Sequence, residues 1–479
     1  MMNSLTPSAC KANSSAGILL IGSVSWALLG AGLQVLGTLQ LLVPSLAYLL
    51  PIPWIGYGHI APLVSFLFTY GWISSGFLGV LLILIPRISG IPFRYGRLLS
   101  SAAILWQFAV LVGMAEILWN GSNGLLCLPF SRSVTALFFL SFLILGTGLT
   151  RGLGRSWKSG PLLPRLYLLG ALIAFPLGLG TAELLLRGSL APGALQIIMQ
   201  FVWHSFLHHL WLTPLALVLL FQLLPALTGR PASSLSLGLL SWIATITLSG
   251  WVGNSLASEG PMPSWLQSAG VIATLLLGIA VLGNTLLLKP LLEGKWEECR
   301  RQVSLRFFAV GFWSYFASYA WLAFLALPGV RQTTTFTMVG QGTQALLIFS
   351  FYGNVLAGAI YALLPASRTI GWPSHPALIF HFWFTTLGAA LLASAYALAG
   401  IFQGLALNDP GVPMTTISSY LRPFLVVVLA GQLCWWVGQL AFSSIFFASL
   451  LKLFPSVAPV AIFPASREVP NHPLHPLHH

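Results

Sequence analysis

Three histidines stand close together in one apolar stretch: His204, His208 and His209. On a helix, His204 and His208 at i, i+4 share one face. Two imidazoles so placed can seat a metal ion, or one of them can offer an axial ligand to a haem. His209 points roughly 100° away from His208, because 3.6 residues make a turn, so the three do not easily serve one centre. The same residues read equally well as a polar cluster hydrogen-bonded to neighbouring helices or lying at a subunit interface.

Two acids fall inside apolar runs, Glu116 and Glu183. An ionisable group at membrane depth is a functional candidate by default. Both lie near the ends of their runs, where they can instead reach the interface and meet water or a partner. His381, within His-Phe-Trp, reads as an anchor at headgroup level in preference to a proton carrier. His472, His475, His478 and His479 lie in a polar, proline-containing tail where they could bind metal adventitiously. The four cysteines, Cys10, Cys127, Cys299 and Cys434, form no Cys-x-x-Cys pair. A zinc ribbon, an iron–sulfur cluster and a covalent haem attachment are therefore unsupported. No phosphate loop, serine triad or zincin motif occurs.

The elements that must position these groups are membrane spans. The 479 residues are 57% hydrophobic and 6% charged, with mean hydropathy +0.88. No soluble fold of this length hides that much apolar surface. The formal charge of +13 comes from only 8 acids against 21 bases. The bases sit in short loops between apolar runs, which argues against nucleic acid as a partner. The first apolar run, from about Gly17, is too long for a cleaved signal core.

Crossing ~30 Å of hydrocarbon takes about 20 apolar residues. Twelve such runs are predicted: 16–49, 62–85, 98–118, 134–150, 165–186, 194–225, 236–256, 267–288, 307–328, 335–364, 376–403 and 419–450. With that alternation, only Arg132, Arg187, Arg331 and Arg422 of the 21 bases fall opposite the termini. The bias predicts cytoplasmic termini and supports the count of twelve. Residues 1–466 are expected to form one all-α membrane domain, followed by a disordered cytoplasmic tail, 467–479.

Four stretches resemble subunit I of haem-copper terminal oxidases, nearest the cbb-type branch. The first is Tyr57-Gly58-His59-Ile60-Ala61-Pro62-Leu63-Val64, with Tyr70-Gly71-Trp72 and Ile85-Pro86-Arg87. The second runs from Gln196 through Trp211-Leu212-Thr213-Pro214 to Thr228-Gly229-Arg230-Pro231. The third is Gly250-Trp251-Val252-Gly253 with Pro261-Met262-Pro263-Ser264-Trp265-Leu266-Gln267. The fourth is Gly358-Ala359-Ile360-Tyr361 to Pro365, then His381-Phe382-Trp383 and Ala399 to Gly404. Their order and spacing match the family over about 50–405.

The resemblance implies a twelve-helix subunit I with two haems and a copper ion, working beside other oxidase subunits and c-type cytochromes. The ligands it implies are absent. The helix-two position of the low-spin haem ligand is Val64. No histidine occurs between Phe336 and Pro365, where helix ten of the family carries two. The copper-ligand positions fall on Ser205, Ser255 and Leu256, and no tyrosine occurs between Tyr167 and Tyr315 for the redox tyrosine of helix seven. Val, Leu and Ser are not useful donors to haem iron or copper.

The sequence therefore reads as a non-catalytic subunit I-like component of a bacterial-type inner-membrane oxidase complex, with no cofactor of its own. It would act in assembly or stability beside a genuine catalytic subunit. His204, His208, His209, Glu116 and Glu183 are its candidate polar or interface groups. The alternatives are a haem oxidoreductase using His204 or His208, and a conduit for protons or small molecules. Bulky side chains around Val64, Phe66 and 345–352, shifted helices or lipid are expected to fill the vacated haem cavities, because large voids are costly.

Overall fold

The computed structural model describes residues 7–46, 55–89, 93–155, 161–188, 193–231, 234–256, 262–368, 372 and 375–451. These residues are helical or in short connections, with no strand among them. Among the described residues, twelve helices are long and apolar enough to cross a membrane: α1 (Ser14–Leu42), α2 (Tyr57–Ser89), α3 (Gly96–Asn120), α4 (Arg132–Gly154), α5 (Leu162–Arg187), α6 (Leu195–Thr228), α7 (Leu235–Ser255), α8 (Ser264–Leu292), α9 (Val303–Leu325), α10 (Val339–Pro365), α11 (Pro376–Leu407) and α12 (Met414–Leu450). All twelve expected spans are present. The fourth is longer than its apolar run suggested, because Gly146 and Gly148 do not interrupt it. The expected tail, 467–479, lies outside the described residues.

Three helices form the centre. The most apolar window of α2 is 100% buried, that of α10 is 89% and that of α6 is 78%, against 28–56% for the others. A helix that is apolar all round belongs in the interior of a bundle. The same three helices each contain a π-helical stretch, Leu67–Ser74, Leu346–Tyr352 and Phe206–Leu212. Single π-turns inside α-helices are rare and concentrate at functional sites. Here the segment in α6 carries His208 and His209.

The outer helices close around this centre. α11 packs along α12, and α12 packs on α1. Glycines set the α11–α12 distance. A Cβ at Gly388 would lie 2.6 Å from the Trp435 backbone nitrogen, and one at Gly438 would lie 3.0 Å from that of Thr385. Small residues allowing close helix approach are the usual device where lipid supplies no hydrophobic drive. Rings fill the space between α2, α10 and α12: Phe68, Trp72, Phe349 and Trp435 stand with centroids 4.8–6.0 Å apart.

Candidate functional site

The loop between α3 and α4 folds down over α6. Its shape follows from Asn123, whose amide donates to the carbonyls of Leu128 and Phe130, both at 3.0 Å, while its oxygen accepts from Leu125 N. Gly121 and Gly124 take positive φ, as turn glycines do. Cys127 also does, at +57°, a conformation that a non-glycine residue adopts only when its surroundings impose it. The Cys127 carbonyl accepts from Tyr70 Oη at 2.8 Å and from Trp203 Nε1 at 3.3 Å. Gln200 on α6 accepts from Leu126 N at 3.1 Å. The loop is thereby fixed to two of the central helices, α2 and α6, with Cys127 held above α6.

Beneath it lie two of the three histidines. One ligand-capable nitrogen each from His204 and His208, and the Cys127 sulfur, all fall within 4.8 Å of one another. The two imidazoles are buried, with ring centroids 4.5 Å apart. His204 Nδ1 and His208 Nδ1 have no hydrogen-bond partner although both are buried. The Gln344 side-chain amide from α10 sits against His204 Nε2. Burial pushes the Cys127 thiol up to about 12, so it stays protonated at neutral pH unless a cation replaces the proton.

His209 is turned away, as the 100° argument required. Its Nδ1 meets Tyr319 Oη at 2.8 Å. Thr213 Oγ1 lies 3.0 Å from both Tyr319 Oη and Tyr352 Oη, and Tyr352 donates to the His208 carbonyl at 2.9 Å. In a separate row, Tyr167 donates to Asn284 Oδ1, and Asn284 Nδ2 donates to Tyr315 Oη, each at 3.0 Å.

The remaining candidates have internal partners. Glu183 pairs with Arg187 at 2.8 Å and Arg132 at 3.3 Å. Glu116 accepts from Ser131 Oγ at 2.8 Å and Ser131 N at 3.0 Å. Both glutamates fasten the loop 121–131 to its own bundle. His381 is buried beside Phe307 and Phe442 and lies 2.8 Å from Tyr361 Oη. The expectation of a headgroup anchor is corrected: the histidine points into the bundle and finds a tyrosine there.

At the positions assigned to ligands by the resemblance, Ser205 donates to Ser249 O at 2.7 Å. Ser255 donates to Val252 O at 2.7 Å and accepts from Thr274 at 3.2 Å. Leu256 ends the described part of that helix. Val64 lies on the wall of a cavity of ≈ 640 Å³, together with Gln34, Tyr57, His204, His209 and Gln344. The expected filling is met only in part: Phe349 of 345–352 packs among Phe68, Trp72 and Trp435, whereas Val64 borders open space. Phe66 packs against Tyr70, Phe130 and Phe138, away from the space. What remains open has amide side chains on its wall. The residues at these positions do not fit the family's haem and copper ligation, because hydrogen-bonded serines and a valine stand where donors are needed.

No pattern in the sequence pointed to Cys127 as a partner of the histidines. Its partners lie 77 and 81 residues further on, so no spacing rule applies. The turn-rich string Asn120-Gly121-Ser122-Asn123-Gly124 was the only local hint that the loop could fold back over the bundle.

The family described as "Cytochrome C and Quinol oxidase polypeptide I" matches residues 15–434. The chain is 24% identical over 444 residues to "Cbb3-type cytochrome c oxidase subunit CcoN1" of Stutzerimonas stutzeri, covering 88% of this chain and 91% of that protein. It is 26% identical over 237 residues to "Cytochrome c oxidase subunit 1 homolog, bacteroid" of Bradyrhizobium diazoefficiens, covering 48% and 43% of the two chains. Among solved structures, a heme-copper terminal oxidase dimer superposes with TM-score 0.67 at 15% identity, over 93% of this chain and 86% of that one. That likeness concerns the fold.

Proposed function

The chain belongs to the Cytochrome C and Quinol oxidase polypeptide I family, and from that membership we propose that it is a non-catalytic subunit I-like component of a respiratory terminal oxidase complex. It stands in a bacterial-type inner membrane with both termini cytoplasmic, as the distribution of bases indicates. Its role is assembly or stability beside a catalytic subunit I, with further oxidase subunits and c-type cytochromes as neighbours.

The observation that carries this reading is the state of the ligand positions. Val64 faces a cavity, Ser205 and Ser255 spend their hydroxyls on helix carbonyls, and α10 offers no imidazole. A fold related to oxidases does not bring their chemistry with it. A scaffold that has lost its ligands is retained most readily for its surfaces.

A second reading is favoured by the cavity. Its wall includes His204 and His209, and its volume lies within the ~300–1,000 Å³ range of cofactor and ligand sites. A haem oxidoreductase with a non-standard ligand set would use that space.

Native mass spectrometry of the chain purified in detergent from cells expressing its own operon tests the partner. The proposal expects a second subunit I-like chain in the complex. A stable monomer with no other oxidase subunit overturns it.

A further inference from the structure

We propose that Cys127, His204 and His208 form a binding site for a single thiophilic d10 cation, Cu(I) or Zn(II). The site lies beyond the proposed function. Its donors come from the α3–α4 loop and from α6, and none comes from the family positions at Ser255, Leu256 or on α10.

The donor set fits this class of ion. A thiolate with two imidazoles suits copper and zinc, whereas hard cations prefer oxygen ligands. The three donor atoms already lie within 4.8 Å of one another. Metal–sulfur bonds of ~2.3 Å and metal–nitrogen bonds of ~2.0 Å would draw them inward by roughly 1 Å, within reach of side-chain rotation.

Two further observations point to a ligand. First, the buried Nδ1 atoms of His204 and His208 are both without partners. A buried polar atom left unpaired is costly, and the two rings that carry these atoms have centroids 4.5 Å apart. Second, Gln344 can fix the ring of His204 in the state needed for binding. The amide nitrogen of Gln344 is the atom placed against Nε2; with the amide turned over, its oxygen accepts from Nε2–H and the lone pair falls on Nδ1, the orphaned atom. Metal-bound histidines almost always donate their other N–H in this way. The left-handed backbone at Cys127, pinned by Tyr70 and Trp203, holds the third donor over the pair. His204 also lines the large cavity, which gives an ion a way in.

The test uses the full-length protein with His472, His475, His478 and His479 replaced by alanine, so that the tail contributes no donors. The detergent-purified chain is stripped of metal and titrated separately with Cu(I), under reductant and a competing chelator, and with Zn(II). Co(II) serves as a spectroscopic probe of sulfur ligation. One equivalent of Cu(I) or Zn(II), with a sulfur-to-cobalt charge-transfer band in the near ultraviolet, is expected. The tighter of the two ions names the occupant. Cys127→Ser should abolish the band, and His208→Asn should remove stoichiometric binding. Cys434→Ser should leave both unchanged. Gln344→Leu should weaken affinity about 10–100-fold, the usual cost of losing such a partner. Absence of stoichiometric binding by the folded parent protein overturns the proposal before any site variant is needed. A band that survives Cys127→Ser also overturns it.

Discussion

Tyr319 Oη lies 2.8 Å from His209 Nδ1, and this contact determines which nitrogen of the histidine carries the proton. Tyr352 gives its hydrogen to the His208 carbonyl. For every contact in the row to be a hydrogen bond, Thr213 must donate to Tyr352 and Tyr319 to Thr213. His209 must then donate from Nδ1 to Tyr319, leaving its lone pair on Nε2. The histidine cluster is thereby divided. His209 belongs to a polar row between helices, and His204 with His208 belongs to the cysteine.

Tyr319→Phe should cost about 1–3 kcal/mol, the usual consequence of leaving buried polar partners unsatisfied. Thermal unfolding in detergent reads it. A double variant with His209→Phe should recover part of the loss, since removing both partners is cheaper than removing one. Unchanged stability in Tyr319→Phe would show that the row is not satisfied as described.

Arg187 is the hub of the loop that carries Cys127. Its side chain is 9% exposed and pairs with Glu183, while Nη2 donates to Leu128 O at 3.1 Å. Arg187→Ala removes the shorter of the two ion pairs of Glu183 and one of the two donors to the Leu128 carbonyl, and should cost about 1–3 kcal/mol. Arg132→Ala removes a mostly exposed partner and should cost less than about 1 kcal/mol. Limited proteolysis within 121–131 should accelerate in the first variant and not in the second. Equal cleavage in both would contradict the assignment.

The α11–α12 contact depends on Gly388. A side chain there meets the Trp435 backbone, which cannot yield as a flexible side chain would. Gly388→Leu should therefore destabilise the protein by at least the ~1–3 kcal/mol typical of overpacking, measured by thermal unfolding. Gly278, with nothing within 4 Å of a built Cβ, is the control on α8, and Gly278→Leu should be nearly neutral. A neutral Gly388→Leu would mean that the two helices do not approach this closely.

Much of this architecture was legible in the sequence, because lipid leaves few options: backbone groups must be satisfied within each span, and about 20 apolar residues announce one. The twelve helices follow from that constraint. That α10 carries no histidine is a fact of residue type and was legible as well. Side-chain direction within a span was not. His381 looked like an interfacial residue beside Phe382 and Trp383, yet its ring points inward to Tyr361. Phe66 was a reasonable filler for the vacated space, but it packs toward Phe130 and Phe138 instead. Cys127 was invisible because a loop, not a helical repeat, delivers it. Glu116 read as an interface group because Ser131, which satisfies it, lies beyond any local pattern, whereas the i, i+4 spacing of Glu183 and Arg187 was a local pairing signal.

Val64 allows a directed test of the ligand argument. Val64→His restores an imidazole at the helix-two position, but α10 still offers no partner for the opposite side of a haem. The variant should purify without a low-spin haem spectrum even when haem is supplied during expression. A six-coordinate low-spin spectrum in this single variant would mean that another residue already provides the second ligand.

The central claim is that this subunit I-like chain is not itself a haem enzyme. The haem-to-chain ratio, by pyridine haemochrome spectroscopy of the chain separated from its co-purifying subunits, tests it most directly. The account predicts a ratio indistinguishable from zero, with the haem of the complex remaining on the partner subunit. One or two haems on this chain would contradict it.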